Sequence, residues 1–396
     1  MTVSTIILAA GKGTRMRSPT PKILHKIAGK HLIAFGVDMA KAVKSKETII
    51  VVSNENEHAT KEALSGEAVK FFTQQSQLGT GDAVKVALEG FKIKSKYTLI
   101  LYGDTPFIKN KTIKKMISKA ERGFEFVFLG FQAQTINSYG KFKLGPKETL
   151  IDIIEKNEPE YDTAKSLSNS GIVLAQSSIM ADLIQKVTNN NVKQEYYLTD
   201  IVKLAAKRGH SSTYVRCKED ECIGINSQLE LSIAERKFQN NFRERLMASG
   251  VSMQSPETCF FSYDTIIKSG CIIEPNVFFG TGVKIQSSTI IKSYSYIEGT
   301  HIGRNCQIGP FARLRPGTNL LEEVKIGNFV EVKNTTLASK AKANHLTYIG
   351  DAKVGAHTNI GAGTIFCNYD GKNKHLSVVG DNVFIGSNAS LIAPLK

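Results

Sequence analysis

A glycine-rich segment near the N-terminus, Leu8-Ala9-Ala10-Gly11-Lys12-Gly13-Thr14-Arg15-Met16, directly follows a short apolar run. Glycines at such a place expose backbone N–H groups that can cradle phosphate oxygens, while Lys12 and Arg15 supply positive charge. The spacing is not that of a Walker loop, because the four-residue spacer and the terminal Gly-Lys-Ser/Thr are missing. Met16 also stands where a dinucleotide fingerprint has glycine. By itself the segment fits a tight strand–helix turn as well as a phosphate cradle. Asp104 follows the apolar run at 97–102, where a carboxylate can hold a divalent cation or cap a helix. In the second half, His345 has the side chain best matched to proton transfer near neutral pH, although a lone histidine is more often structural.

The elements that must carry these residues come in two kinds. Short β-branched runs at 4–8, 48–52, 69–73, 97–102 and 126–129 predict strands, and helical patterns at 31–43, 80–91 and 111–120 lie between them. This alternation predicts an α/β, mostly parallel, Rossmann-like sheet covered on both faces over residues 1–227. Binding sites in such sheets lie at the carboxyl ends of the strands, where the glycine-rich segment and Asp104 fall. Leu231, Ala234, Phe238, Phe242 and Leu246 then recur at spacings of three and four. They predict one linker helix over 228–248.

From 249 to 396 the period becomes six. Ile267, Ile273, Phe279, Ile285, Ile291 and Ile297 form one series; after a slip of one residue, Ile302, Ile308, Leu314, Leu320, Ile326 and Val332 form another. The pattern returns, after an interruption, at Val354 and Ile360 and then at Ile385 and Leu391. Neither a helix nor an alternating strand has that period. It predicts a parallel β-helix of hexapeptide repeats, wound left-handed, in which each aliphatic points into the shaft. Irregular insertions in such folds often form the binding face.

Composition narrows the function. A hydrophobic fraction of 41% with 22% charged residues excludes a largely disordered chain. No apolar run is long enough for a membrane span and no leader pattern is visible, so a cytoplasmic protein without membrane contact is expected. The six cysteines include no Cys-x-x-Cys pair, so neither a zinc cluster nor a disulfide framework is indicated. Fifty-one basic against thirty-six acidic residues leave a net charge of +15. The lysines are scattered singly and no nucleic-acid-binding motif accompanies them, which favours small phosphorylated substrates over nucleic acid.

The opening segment, followed by Pro21-Lys22, resembles the nucleotide-binding start of sugar-1-phosphate nucleotidyltransferases. The resemblance continues through Gln74-Gln75-Ser76-Gln77-Leu78-Gly79-Thr80, Tyr102-Gly103-Asp104, Tyr139-Gly140, Glu155, Asn169-Ser170-Gly171, Glu195-Tyr196-Tyr197-Leu198-Thr199-Asp200 and Gly224-Ile225-Asn226. With the hexad half, nearly the whole chain resembles the bifunctional N-acetylglucosamine-1-phosphate uridyltransferase/glucosamine-1-phosphate acetyltransferase family. The resemblance implies that Leu8, Ala9, Gly11, Gln74, Gly79, Thr80, Tyr102 and Asp104 bind the nucleotide. Gln74 and Gly79-Thr80 would recognise uracil, and Arg15 and Lys22 would act on the triphosphate. Asp104 and Asn226 would hold Mg²⁺, while Gly140, Glu155, Asn169 and Asn226 would bind the sugar.

For acetyl transfer the resemblance implies His345 as general base. Arg315 and Lys333 would grip the sugar phosphate, with Tyr348, Asn359, Asn368 and Tyr369 around the sugar and Ala362 and Ser387 facing the acetyl thioester. Asn344 departs from the small residue associated with its position, which bears on fine geometry. Implied partners are UTP, N-acetylglucosamine-1-phosphate, glucosamine-1-phosphate, acetyl-CoA and two further copies of the chain in a homotrimer. The sequence stops in mid-hexad at Ala393-Pro394-Leu395-Lys396, where the resembled family continues with further coils and coenzyme A contacts. If the chain ends there, weak acetyl-CoA binding is expected. Two other readings are a uridyltransferase without acetyl transfer and a non-catalytic sugar-nucleotide-binding subunit.

Overall fold

The computed structural model describes residues 2–134, 139–156, 161 and 167–396. The chain divides into two compact units, Met1–Lys26 with Lys30–Ser232 and Ile27–Gly29 with Ile233–Lys396. The division falls within a 21-residue helix, Gln228–Ala248, whose first turn groups with the first unit.

In the first unit the strands are Val3–Leu8 (β1), Thr48–Ser53 (β2), Lys70–Gln74 (β3), Tyr97–Tyr102 (β4), Phe126–Phe131 (β5), Lys141–Leu144 (β6), Leu150–Ile154 (β7), Ser168–Gln176 (β8) and Ser212–Cys217 (β9). The main sheet runs β9-β5-β8-β4-β1-β2-β3. Its pairings are parallel except those of β8, which is antiparallel to both neighbours. The start of β8 also pairs with β6, which forms a hairpin with β7. The strands read as continuous apolar runs because both faces are covered. Ile6, Ile49, Ile100 and Phe128 pack on one side with Val84, Met180 and Ile201. Ile7, Ile50, Leu99 and Val127 pack on the other with Ile33, Val37, Ile113 and Met116. β8 is not foreseen from sequence, since it opens with Ser-Asn-Ser-Gly, which reads as a turn. In the structure Ser168, Asn169 and Ser170 are buried strand residues.

The second unit is a stack of coils. Its strands are mostly two or three residues long, as at Ile272–Ile273 and Phe278–Phe279, and they pair in parallel in three columns. Successive coils are offset by 17 or 18 residues, as between Lys284 and His301 or Ile272 and Ile290. Ile273, Phe279, Ile285, Ile291, Ile297 and Ile308 are fully buried in the shaft, as the hexads predict. The series does not stop after Val332. Leu337, Ala343 and Ile349 take the next inward positions at 17-residue offsets and are fully buried. A strict period of six misses them because one step is five residues long and one filler is alanine. The true interruption follows, where one coil lengthens to 25 residues between Asn359 and Phe384 and extrudes a loop after Phe366. Cys259, Cys271 and Cys306 are small buried fillers of the same shaft. Among the described residues no helix is long and apolar enough to cross a membrane.

Because each coil is held by its neighbours, a hole in one should loosen the stack. Ile291→Ala, at a fully buried position, is expected to cost about 2–5 kcal/mol in urea unfolding of the coil unit. A loss under about 1 kcal/mol would mean the shaft collapses around the hole.

Candidate functional site

The strands β1, β4 and β3 end at Leu8, Tyr102 and Gln74, and their carboxyl ends open onto one cavity of about 920 Å³. Leu8, Ala9, Gly11, Lys22, Gln74, Gly79, Thr80, Tyr102, Asp104 and Glu155 line it. Two glycines there have steric reasons. Gly13 is left-handed (φ 63°), and a Cβ on it would sit 2.7 Å from the Lys22 Cβ, so its bareness lets the lysine stem pass. Gly79 (φ 109°) would drive a Cβ to 2.6 Å from the Tyr196 carbonyl oxygen.

Lys22 begins a short 3₁₀ turn, Lys22–Leu24, and its ammonium reaches two other parts of the chain. It ion-pairs with Asp104 Oδ2 and donates to Asn226 Oδ1 at 3.1 Å. The Ile225 N–H bonds the Asp104 carbonyl at 3.1 Å, and the Asn226 N–H bonds Glu230 Oε2 at 2.6 Å, which fixes the segment carrying Asn226. Two hard oxygen donors thus converge on one cation, the lysine head. The same pair suits Mg²⁺, which takes one or two protein oxygens and fills its remaining positions with phosphate and water.

On the other side of the cavity, Glu155 Oε1 accepts from Thr199 Oγ1 at 2.9 Å. Gly140 stands against Glu155, since a Cβ there would lie 3.2 Å from Oε1, and its carbonyl accepts the Asn169 N–H at 2.7 Å. Gly140, Glu155 and Asn169 are therefore one group, built by the β6–β7 hairpin and the start of β8. The Tyr102 phenol is pushed up by burial and by the nearby Asp104 charge, so it stays a hydrogen-bond donor. Gln74 is occupied within the protein, donating to Asp82 Oδ2 at 2.6 Å and to the Gly79 carbonyl at 3.1 Å. Arg15 lies on an exposed turn, Thr14–Met16, and is not among the residues lining the cavity. Lys156 and Lys193 do line it and were not foreseen. Lys156 directly follows Glu155 and Lys193 lies two residues before Glu195, and that closeness to motif residues was the available signal.

In the coil unit, Arg315 donates to Glu331 Oε1 at 2.7 Å, and Glu331 pairs with Tyr348 in the next coil. Asn368 Nδ2 reaches the Tyr348 hydroxyl at 3.4 Å and ion-dipole contacts Asp351. Lys333 faces Lys374 from the extruded loop, and the second ammonium holds the Lys333 amine below its usual value. Arg315, Lys333, Tyr348 and Asn368 thus share one face. Lys374 joins them unforeseen, because a loop of irregular length gives no register from which to place it. The loop is anchored by Asp370, whose carboxyl is held down at about 2 by the Asn373 N–H, His375 and the Lys372 N–H. Tyr369 is exposed, with its hydroxyl on the Gly371 carbonyl at 2.6 Å.

His345 is exposed at a corner, directly above Asn328 in the next coil. Its Nδ1 lies 2.9 Å from Asn328 Oδ1, an amide oxygen that can only accept, so in the neutral ring Nδ1 carries the proton and the lone pair falls on Nε2. Asn328 was not singled out from sequence. Continuing the register of Lys342 with Asn359 and Asn359 with Phe384 places Ala362 and Ser387 next in that corner column. Asn359 itself lies on a different column from Tyr348, beside Lys325 and Lys342. Asn344 is half-buried, and its carbonyl backs onto Gly327, where a Cβ has no room.

Residues 5–169 match the MobA-like NTP transferase domain. The chain is 44% identical over 393 residues to the bifunctional protein GlmU of Bartonella quintana, covering 99% of this chain and 88% of that protein. It is 44% identical to GlmU of Roseobacter denitrificans (100% and 88% covered) and 42% to GlmU of Wolbachia pipientis wMel (99% and 90%). A nucleotidyltransferase sheet with a polyphosphate-sized cavity, joined to a hexapeptide coil and matched along its length by these proteins, makes the chain a member of the GlmU family of bifunctional uridyl- and acetyltransferases.

Proposed function

We propose that the two transfers are divided between the units, with uridyl transfer at the Lys22–Asp104–Asn226 cavity and acetyl transfer on the His345 column. A divalent cation goes with this family's nucleotidyl transfer, and we assign it as Mg²⁺ on Asp104 and Asn226. The convergence of both side-chain oxygens on the Lys22 ammonium carries this reading. Bound there, the ion would neutralise phosphate charge as pyrophosphate leaves UTP. The chain's own part is positioning. Lys22, released from the two oxygens, turns to the triphosphate with Lys12; Arg15 is assigned the same charge. Gly140, Glu155 and Asn169 hold N-acetylglucosamine-1-phosphate so that its phosphate oxygen attacks in line.

In acetyl transfer, which supplies the acceptor for uridyl transfer, Arg315, Lys333 and Lys374 receive the phosphate of glucosamine-1-phosphate, and Tyr348 and Asn368 orient the sugar. His345 Nε2 takes the proton from the amine as it attacks the acetyl-CoA thioester, with Ala362 and Ser387 on the donor side. Asn359 stands on another column from Tyr348 and Asn368, which supports a homotrimer in which a neighbouring copy supplies it to their sugar; light scattering at about three chain masses is the expected result. Pyrophosphate release from UTP and N-acetylglucosamine-1-phosphate should stop with EDTA and return with Mg²⁺. Thiol release from acetyl-CoA with glucosamine-1-phosphate should be indifferent to EDTA. Metal-independent pyrophosphate release would overturn the assignment of Asp104 and Asn226.

The facing lysines give a sharper check. A phosphate dianion between Lys333 and Lys374 relieves their mutual repulsion, so Lys374→Met should raise KM for glucosamine-1-phosphate about tenfold or more, with kcat less affected. An unchanged KM would remove Lys374 from the phosphate site.

A further inference from the structure

Two cysteines of the first unit stand apart from the shaft fillers. Cys217 ends β9 and is half-buried, while Cys222 is 2% exposed at the end of a 3₁₀ turn, Glu219–Glu221. Their Sγ atoms lie 3.1 Å apart. Cys217 Sγ also lies 3.6 Å from the Gly130 carbonyl, whereas Cys259, Cys271 and Cys306 contact backbone carbonyls within the coils and, among the described residues, no second sulfur. The connector after Cys222 leads in four residues to Asn226. It is pinned on both sides. The Thr112 hydroxyl donates to Glu221 at 2.5 Å, and the Ile225 N–H bonds the Asp104 carbonyl at 3.1 Å. Cys222 also contacts the hydroxyl of Ser170, the neighbour of Asn169.

We propose that Cys217 and Cys222 form a dithiol modification site that a hydroperoxide converts to a disulfide, and that closing it slows uridyl transfer by displacing Asn226. The half-buried Cys217 is the attacking sulfur. Its thiolate attacks the terminal peroxide oxygen, the O–O bond breaks, an alcohol or water leaves and a sulfenic acid forms. The Cys222 sulfur then attacks Cys217, the S–S bond forms, and the departing hydroxide takes the Cys222 proton as water. The dithiol loses two electrons and two protons; the peroxide is reduced to alcohol and water. Cys222 suits the resolving role, because its thiol is pushed far up by the Cys217 thiol and by burial and so is no primary nucleophile. Bond formation brings the sulfurs about 1 Å closer. That pull acts on a segment with no slack, and a displacement of about that size at a reacting group can cost a hundredfold in rate. The effect on rate rests on the assignment of Asn226; formation of the disulfide does not.

The test treats the full chain with hydrogen peroxide and follows peptide masses and uridyl transfer together. Expected are a 217–222 linked peptide about 2 Da lighter than the dithiol form, a fall in kcat of about tenfold or more, and recovery with dithiothreitol. Cys217→Ser and Cys222→Ser should each keep their activity through the same treatment. Cys217, being half-buried, gives the variant that tests the idea if Cys222→Ser folds poorly. Absence of the linked peptide would overturn the site. A linked enzyme of unchanged kcat would overturn the coupling to Asn226, and equal loss in Cys217→Ser would place the sensitive group elsewhere.

Discussion

Asp104→Asn should lower uridyl transfer by two orders of magnitude or more, about 3 kcal/mol of transition-state stabilisation, while the protein stays folded. The substitution keeps the shape of a side chain that is 14% exposed at the cavity wall, and it changes only the charge. In the structure that charge pairs with Lys22, so the variant loses both the anchor of the ammonium and the anionic half of the proposed ion site. The two amide oxygens that remain are neutral ligands and would compete poorly with water for a strongly hydrated ion. The apparent affinity for Mg²⁺ should therefore fall along with kcat, whereas acetyl transfer should be unaffected. Pyrophosphate release measured across a Mg²⁺ titration decides the matter. Near-normal turnover at saturating Mg²⁺ would remove Asp104 from the role.

His345→Ala is expected to remove acetyl transfer while leaving uridyl transfer within about twofold. The imidazole is exposed and hydrogen-bonded to the Asn328 side chain, so its loss opens no core cavity. What disappears is the lone pair on Nε2. Without it the amine must lose its proton to water, and a positioned base contributes about 10²–10⁴ in rate. No residue assigned to uridyl transfer lies in the coil unit, and substitutions in different units that share no partner behave independently. Thiol release from acetyl-CoA and pyrophosphate release from UTP, read on one preparation, give both halves of the result. A matched collapse of both rates would mean misfolding or coupling. Asn328→Ala should be milder, about tenfold, because it frees the tautomer without deleting the base.

What could be read from the chain alone was whatever repeats or acts locally. A coil has to fill its shaft at each inward position, so Ile273, Phe279 and Ile285 announce the second unit with no knowledge of their neighbours. Likewise the parallel sheet shows through the runs at β1, β2 and β4, because strands covered on both faces must be apolar throughout. The glycines between Leu8 and Met16 likewise mark a tight turn after a strand, although whether it cradles phosphate is not legible in that segment by itself. Tertiary structure decided the rest. Asp104 and Asn226 are 82 and 204 residues from Lys22 in sequence, and the three meet only because β1 and β4 are neighbours and the segment before the long helix returns to them. The antiparallel β8, the lysines at 156 and 193, the Asn328–His345 contact and the facing Lys333 and Lys374 are of the same kind. Each depends on which strand or coil lies alongside which, and that order comes from packing the whole apolar surface at once, not from any one segment.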